Sequence, residues 1–562
     1  MTTPARPLDI AVAQARSWIA QDPDPTTKAE LDDLVAAALA DEAGASAALI
    51  ARFAGRLDFG TAGLRGELGA GPTRMNRVLV SQAAAGLAAF LLERDPHPSV
   101  VIGYDGRHNS SMFARDTAEL MQGAGVHAIL LPRLLPTPVL ATAVRTLRAS
   151  AGVMVTASHN PARDNGYKVY LGGFDDGSQI VPPADAAIQA HILRVAEGSV
   201  ADLPRSADYA MAPETLIEGY IADTVRVAGV IEPLSYVYTP MHGVGLETAA
   251  AVFDDAGFAA PILVPTQAHP DPDFPTVAFP NPEEPGAMDL AFAAAREASA
   301  ELIIANDPDA DRVAVGVPDT SADGGWRRLT GNEVGWLLGW RAARLWQTGS
   351  NSEGALACSL VSSPALAAVA ASYRLDFEET LTGFKFISRV PNLVFGYEEA
   401  LGYLVDPAKV RDKDGISAAV AVLSLFSELK AAGTTLEQHM TEFAERFGAF
   451  ASDQISIRVD DLADIPRMMA NLRANPPSSV GGLRVDQIDD FTDGFGDFPP
   501  NDILRMHVAG GGRIIVRPSG TEPKLKCYLD ASSTEGTAAE RQAAAAATVA
   551  AMDVGMRELL AL

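Results

Sequence analysis

Apolar and polar positions change rhythm several times along this chain. Over residues 1–50 the apolar positions are Ala-rich and spaced as in helices. The cluster QDPDPTTKAELDDLVAAALA marks a helix start, with Thr26 or Thr27 as the cap and acids in the first turn. From about residue 99, short β-branched runs alternate with helical stretches. SVVIGYDGR reads as a strand ending in a polar turn, FARDTAELMQGAG as a helix with a glycine stop, and HAILL as a strand. AGVMV at 151–155 is a further strand that runs straight into TASHNPARDNG, and YKVYL follows as the next one.

The pattern restarts near residue 235, where SYVYTPMHGVG predicts strand and turn, then a helix through Ala256, then PILVP as a strand. ELIIANDPDADRVAVGV reads as strand, loop, strand. A third restart near 355 has ALACSLV as a strand, SPALAAVAASY as a helix capped by Ser363, and NLVFGYEEALGYLV as strand, loop, strand. The long helix GISAAVAVLSLFSELKAAG closes it. Strands alternating with helices define an α/β fold. Three similar restarts point to an internal structural repeat, although any long α/β chain is repetitive to some degree. The last hundred residues differ. DQISIRV, LRVDQIDDF, ILRMHV, RIIVRP and KLKCYLDA predict five short strands with a Gly-rich hairpin turn at 510–513, and NPPSSVGG at 475–482 serves as a connection. An Ala/Glu-rich helix ends this α+β unit. The domains expected are an N-terminal helical extension (1–50), α/β domains at 51–208, 209–325 and 326–448, and a final domain at 453–562. A hinge is expected at 448–453.

Composition narrows the function. The charge sum is 44 − 71 = −27 over 562 residues. That balance disfavours nucleic acid or an anionic membrane surface as a partner. Two cysteines, Cys358 and Cys527, supply neither a disulfide framework nor a thiolate zinc site. The first twenty residues contain no uninterrupted apolar run of leader type, and no stretch approaches the length of a membrane span. A cytoplasmic protein, monomer or homodimer, is expected.

Four polar loops fall at predicted strand ends, where ligands gather in α/β sheets. In DPDADR, Asp307, Asp309 and Asp311 alternate, so an extended segment aims three carboxylates one way. Such an oxygen-only set suits Mg²⁺. A calcium loop is excluded because Arg312 stands where that loop needs glycine and Pro318 where it needs glutamate. A solvated acidic turn is the plainer alternative. In TASHNP, Ser158 sits on a tight turn after an apolar strand, beside His159 and ahead of Lys168, and is a candidate nucleophile. Ser and Asn-Pro also build ordinary turns. In RPSGTEPKLK, Arg517, Ser519, the Gly520 and Thr521 backbone, Lys524 and Lys526 are phosphate donors, but the same residues fit a solvated hairpin turn. In TGFKF and GYEEALGY, Lys385, Glu398 and Glu399 suit sugar phosphate and hydroxyl groups. Together these imply phosphoryl transfer on a polyol phosphate, with no ATP cradle in view.

TASHNP, DPDADR, GYEEALG and RPSGTEP, in this order, resemble the α-D-phosphohexomutase family. The likeness runs from FGTAGLRG at 59–66 to RPSGTEPKLK. The resemblance implies three similar mixed-sheet α/β domains and a TATA-binding-protein-like α+β domain around a central cleft, one functional loop from each. It implies Ser158 as a phosphoserine, with Asp307, Asp309 and Asp311 holding Mg²⁺ together with Ser158. Arg312 would face the phosphoserine, and His159, Lys168 and Arg65 would serve proton transfer and charge stabilisation. Glu398 would bind sugar hydroxyls, Lys385 would orient the sugar phosphate, and Arg517, Ser519 and Thr521 would hold the phosphate that is not reacting. The implied activity interconverts hexose 1- and 6-phosphates of glucose or mannose through a 1,6-bisphosphate, with glucose 1,6-bisphosphate or its analogue as activator. The partners are then small-molecule sugar phosphates. Ala400 departs from the family pattern, which commonly has serine there. It points toward phosphopentomutase-like and glucose-1,6-bisphosphate synthase-like relatives as well as actinobacterial phosphomannomutases. A metal-dependent sugar phosphatase and a noncatalytic sugar-phosphate sensor are the competing readings.

Overall fold

A computed structural model describes residues 6–349, 353–459, 461–519 and 524–560. By contact density the chain forms two units. One comprises the chain up to Leu329 plus Gly402–Leu423, and the other comprises Thr330–Leu401 plus the chain from Ser424 onward.

In the first unit, a seven-stranded mixed sheet runs Leu64–Glu67, Asp164–Leu171, Ala151–Val155, Ser99–Tyr104, His127–Leu130, Ala210–Met211, with Ser178–Gln179 beside Asp164–Leu171. Its centre is parallel, and Asp164–Leu171 turns back antiparallel on Ala151–Val155. Every residue of Ala151–Val155 is buried. A strand covered on both faces reads as an unbroken apolar run. The strand YKVYL extends further than its apolar core, starting at Asp164. A second, five-stranded sheet carries Tyr236–Thr239 and Leu302–Asn306 side by side in parallel, with Val313–Pro318 antiparallel to the latter.

The N-terminal segment forms helices Pro7–Gln21, Pro25–Leu39 and Ala45–Arg52. The second helix is capped by Asp24, whose side chain accepts from Thr26 N, rather than by either threonine. Pro25 fixes the first helical position, so the cap falls at Asp24, two residues upstream of Thr26. The three helices bury Trp18, Leu31 and Leu49 against Val78, Leu79 and Val200. Glu30 and Arg52 pair at 2.7 Å and bracket Ala70, accepting from its N–H at 3.0 Å and donating to its carbonyl at 2.7 Å.

In the second unit, Ala355–Ser359 lies in parallel between Asp376–Thr380 and Leu393–Glu398. The acidic strand DFEET escaped the sequence reading because its burial alternates and only one residue is fully covered. The helix Ala365–Tyr373 begins after Pro364, with the Ser363 hydroxyl accepting from Ala365 N at 3.3 Å. The chain then forms a six-stranded antiparallel sheet, one strand more than expected. The extra strand, Ser479–Val480, falls in the stretch read as a connection. The expected hinge at 448–453 is largely strand. Ala449–Arg458 pairs along its length with Lys524–Ser533, leaving Gly448 (φ +99°) as the break after helix Leu436–Phe447. Leu360, Val361 and Leu381 share one apolar cluster with Phe491, Ile503, Ile515 and Tyr528. Among the described residues no single helix is long and apolar enough to cross a membrane.

Candidate active site

Ser158 lies on the turn that follows Ala151–Val155, almost fully buried and with φ +52°. The Thr156 hydroxyl accepts its N–H at 2.8 Å. Its own hydroxyl donates to Asp307 Oδ2 at 2.8 Å and lies 3.1 Å from His159 Nδ1.

Asp307, Asp309 and Asp311 follow the strand Leu302–Asn306 and are fully buried, with one carboxylate oxygen from each within 4.8 Å of the others. They do not converge by the alternation of an extended segment. Ala310 takes φ +53° and its N–H donates to the Asp307 carbonyl at 2.9 Å, so a tight turn folds the three carboxylates together. Gly243 abuts that turn so closely that a Cβ there would lie 2.3 Å from the Pro308 Cα.

Lys168, on Asp164–Leu171, reaches across to Asp309 Oδ2 at 2.8 Å and Asp311 Oδ2 at 2.9 Å. Lys413 adds a second ammonium at 2.8 Å from Asp311 Oδ2. Thr137 donates its hydroxyl to Asp309 Oδ2 at 2.7 Å and its N–H to the Asp309 carbonyl at 2.9 Å. Asp309 Oδ1 and Asp311 Oδ1 are buried with no hydrogen-bond partner. A buried carboxylate oxygen without a donor is costly. Two of them beside a third carboxylate and a serine hydroxyl fit a hard divalent cation.

The electrostatics follow from burial. Burial, then Asp309 and Asp311, push the Asp307 carboxyl well above the ordinary range. Burial also pushes Asp311 up, but Lys168 and Lys413 outweigh it and hold that carboxyl far below the usual value. Burial lowers Lys168, yet Asp309 and Asp311 more than reverse this and keep it an ammonium. Burial, then Arg312 and Arg65, drive the His159 imidazole well below its ordinary value. Arg312 donates its N–H to Asp307 Oδ1 at 3.0 Å, and Arg65 Nη1 donates to Asn160 Oδ1 at 3.3 Å.

Ser158, His159, Lys168, Arg65, Arg312 and the three aspartates thus share one neighbourhood of the first unit. Three of its members escaped the sequence reading. Thr137 and Lys413 are two, the latter sitting in the charged run RDKDG just before a buried helix. The third is Arg107, on the polar turn after Ser99–Tyr104. It is buried, and donates to the carbonyls of Ser158 at 2.6 Å, Asn160 at 2.5 Å, Pro161 at 2.7 Å and Asp164 at 3.1 Å.

The remaining candidates lie in the second unit. Glu398, at the end of Leu393–Glu398, accepts from Gly383 N at 2.6 Å. Glu399 turns Oε2 inward to the hydroxyls of Ser359 at 3.1 Å and Ser362 at 3.0 Å. Lys385 lies in the short helix Phe384–Ile387, its Nζ 5.4 Å from the Phe386 ring centre. Arg517 is the penultimate residue of the strand Gly512–Pro518, opposite Lys526. Ser519 N donates to the Lys524 carbonyl at 2.8 Å. Gly520 and Thr521 lie outside the described residues. Upstream on the same strand, buried Arg513 bonds to Glu379 at 2.9 Å, Asp530 at 2.9 Å and the Ser362 carbonyl.

The α/β sheets thus carry a buried serine hydroxyl against an aspartate triad. The sequence matches four domain profiles in succession: phosphoglucomutase/phosphomannomutase alpha/beta/alpha domain I over residues 56–199, domain II over 218–320, domain III over 330–447, and the C-terminal domain over 455–547. A Haemophilus influenzae protein named "Probable phosphomannomutase" is 55% identical over 489 residues, 86% of this chain and 98% of that protein. A mouse phosphopentomutase is 35% identical, with 94% and 91% of the two chains covered. The structure of a phosphoglucomutase/phosphomannomutase family protein from Burkholderia thailandensis superposes with a TM-score of 0.67 at 18% identity, covering 89% and 96% of the chains, which speaks for the fold alone. The chain belongs to the phosphoglucomutase/phosphomannomutase family, and its class of activity is that of a sugar-phosphate mutase, an isomerase.

Proposed function

We propose that this enzyme interconverts hexose 1-phosphate and hexose 6-phosphate, on glucose or mannose, through a phosphorylated Ser158 and a hexose 1,6-bisphosphate. The observation that carries this reading is the Ser158 hydroxyl held 2.8 Å from Asp307 within the buried triad. The likeness to a protein named "Probable phosphomannomutase", over 86% of this chain and 98% of that one, supports the hexose.

Asp307, Asp309 and Asp311, with Ser158 Oγ, would hold Mg²⁺. The ion supplies charge neutralisation at the transferring phosphoryl group. Lys168 and Lys413 keep the triad compact and remain cationic beside a dianionic phosphoserine. His159, 3.1 Å from Ser158 Oγ, would exchange the proton of the serine hydroxyl, whereas Lys168, ion-paired twice, would act through charge. Glu398 reads sugar hydroxyls, and Lys385, Arg517, Ser519 and Lys524 take the phosphate that is not reacting. Phosphoryl transfer of this kind relies on positioning and electrostatics. Glucose 1,6-bisphosphate rephosphorylates Ser158 whenever the intermediate escapes.

The test is conversion of glucose 1-phosphate to glucose 6-phosphate with Mg²⁺ and a trace of bisphosphate, beside intact mass. Wild type gains about 80 Da on Ser158, one phosphoryl group, and Ser158→Ala does not. Near-normal turnover by Ser158→Ala overturns the mutase mechanism and favours a metal-dependent phosphatase. Ala400 and the mouse phosphopentomutase favour a second reading, a pentose substrate. A preference of more than about tenfold for ribose 1-phosphate, a difference of about 1.4 kcal/mol, selects it.

A further inference from the structure

The segment that presents Ser158 departs from ordinary backbone geometry at the serine itself, and its carbonyls converge on one side chain. Arg107 Nη2 takes the carbonyls of Ser158 and Asn160, and Nη1 takes those of Pro161 and Asp164. Arg107 as a whole is only 4% exposed. The guanidinium is held from behind by the Asp105 carboxylate, 3.5 Å from Nε, and its carbon lies 4.9 Å from the Phe274 ring centre. Asp105 is fixed in turn by the Arg107 N–H at 3.0 Å and the Ser110 hydroxyl at 2.7 Å.

This arrangement differs from a structural ion pair. Both terminal nitrogens of Arg107 face the serine turn, and the carboxylate meets only the Nε edge. Four carbonyl dipoles aimed at one point repel each other and lose water, so the turn needs a fixed cation at its centre. A planar fork serves two pairs of acceptors at once, and a lysine ammonium does not. Arg107 touches neither Asp307 nor the Ser158 hydroxyl. It acts on the backbone that aims that hydroxyl.

We propose that Arg107 is the positioning residue for the nucleophile: its guanidinium holds the 158–164 turn so that Ser158 Oγ points at Asp307. The proposal rests on Ser158 being the phosphoryl carrier.

The experiment measures single-turnover transfer of labelled phosphate from glucose 1,6-bisphosphate to dephosphorylated enzyme, for wild type, Arg107→Ala and Arg107→Lys, with and without millimolar guanidinium. Amide exchange of residues 156–164 is followed in parallel. Misplacing the nucleophile by about 1 Å should slow transfer about 100-fold, with half-saturation moving less than about threefold. Guanidinium should restore Arg107→Ala by about tenfold or more and slow its amide exchange, without affecting wild type, and Arg107→Lys should remain impaired. Transfer by either variant within about threefold of wild type overturns the proposal. So does a rate loss that guanidinium leaves untouched, or one matched by an equal loss of affinity. Should Arg107→Ala not fold, the transfer rate and amide exchange of Arg107→Lys decide the proposal by the same thresholds. Should wild type take no label on Ser158, the mutase reading fails instead, and restored exchange protection by guanidinium still decides whether Arg107 organises the turn.

Discussion

Lys168→Met removes one ammonium from the centre of the triad and keeps the length of the side chain. The ammonium bonds two fully buried carboxylates, at 2.8 and 2.9 Å, and is itself almost completely covered. Breaking a buried ion pair from one side costs about 3–5 kcal/mol, because the remaining charge stays in a poorly solvating interior. Asp309 keeps the Thr137 hydroxyl and Asp311 keeps Lys413, so neither is abandoned. The cost should therefore fall near the lower end, about 3 kcal/mol. For a domain of this size that lowers the first unfolding midpoint by roughly 6–12 °C. A cation that binds only the folded triad adds stability as its concentration passes its dissociation constant. The assay is differential scanning fluorimetry of both proteins in EDTA and in millimolar Mg²⁺. The variant should melt lower in EDTA and recover more of its deficit with Mg²⁺ than wild type gains. Equal melting in EDTA, or equal gains from Mg²⁺, would refute the view that Lys168 balances the charge of this cluster.

Gly243→Ala should push a methyl group into the backbone of Pro308, 2.3 Å away, costing about 1–3 kcal/mol in chemical denaturation and raising the Mg²⁺ concentration needed for half-maximal activity. An unchanged Mg²⁺ requirement would show that the turn does not set the triad. Asp414 gives a pH signature. Burial pushes its carboxyl up to about 6 from 3.8. Between those values the folded chain holds a proton that the unfolded chain releases, so this group's stabilisation is full below 3.8 and is lost as pH rises through about 6, by about 3 kcal/mol. Asp414→Asn should remove that slope from the stability–pH profile while still accepting the Ile416 and Ser417 N–H bonds; superimposable profiles count against it. Arg513→Met should leave Asp530 and Glu379 without their shared guanidinium, at a cost of about 3 kcal/mol, and speed amide exchange in both strands. Exchange unchanged in Asp376–Thr380 would mean that the pair is solvated rather than structural.

Much of this site was legible because its residues sit where strands end. The apolar run at 151–155 stops at the turn of Ser158, and the run at 302–306 stops at the aspartates, so strand prediction alone located both. Lys168 was found beside them because it belongs to a strand that follows the serine loop in sequence. What stayed hidden depends on contacts between distant segments. Arg107 stands on a polar turn that the sequence showed, but its acceptors begin fifty-one residues later and are backbone carbonyls, which have no sequence signature. Thr137 meets Asp309 across 172 residues. The alternation of the three aspartates was suggestive for the wrong reason: they converge through a left-handed residue, Ala310, a conformation that spacing does not encode. Glu399 was legible as an acid at a strand end, while its bonds to Ser359 and Ser362 were not.

The left-handed backbone at Ser158 also decides which amino acid can occupy this position. Threonine offers the same hydroxyl chemistry, and elsewhere in proteins the two often interchange. At φ +52° a β-branched side chain is a genuine steric outlier, whereas an unbranched one is tolerated. An unbranched hydroxyl residue is therefore favoured at this position. The main chain disfavours threonine whatever its reactivity, so if Ser158 carries the phosphoryl group as proposed, the choice of serine belongs to the turn as much as to the reaction.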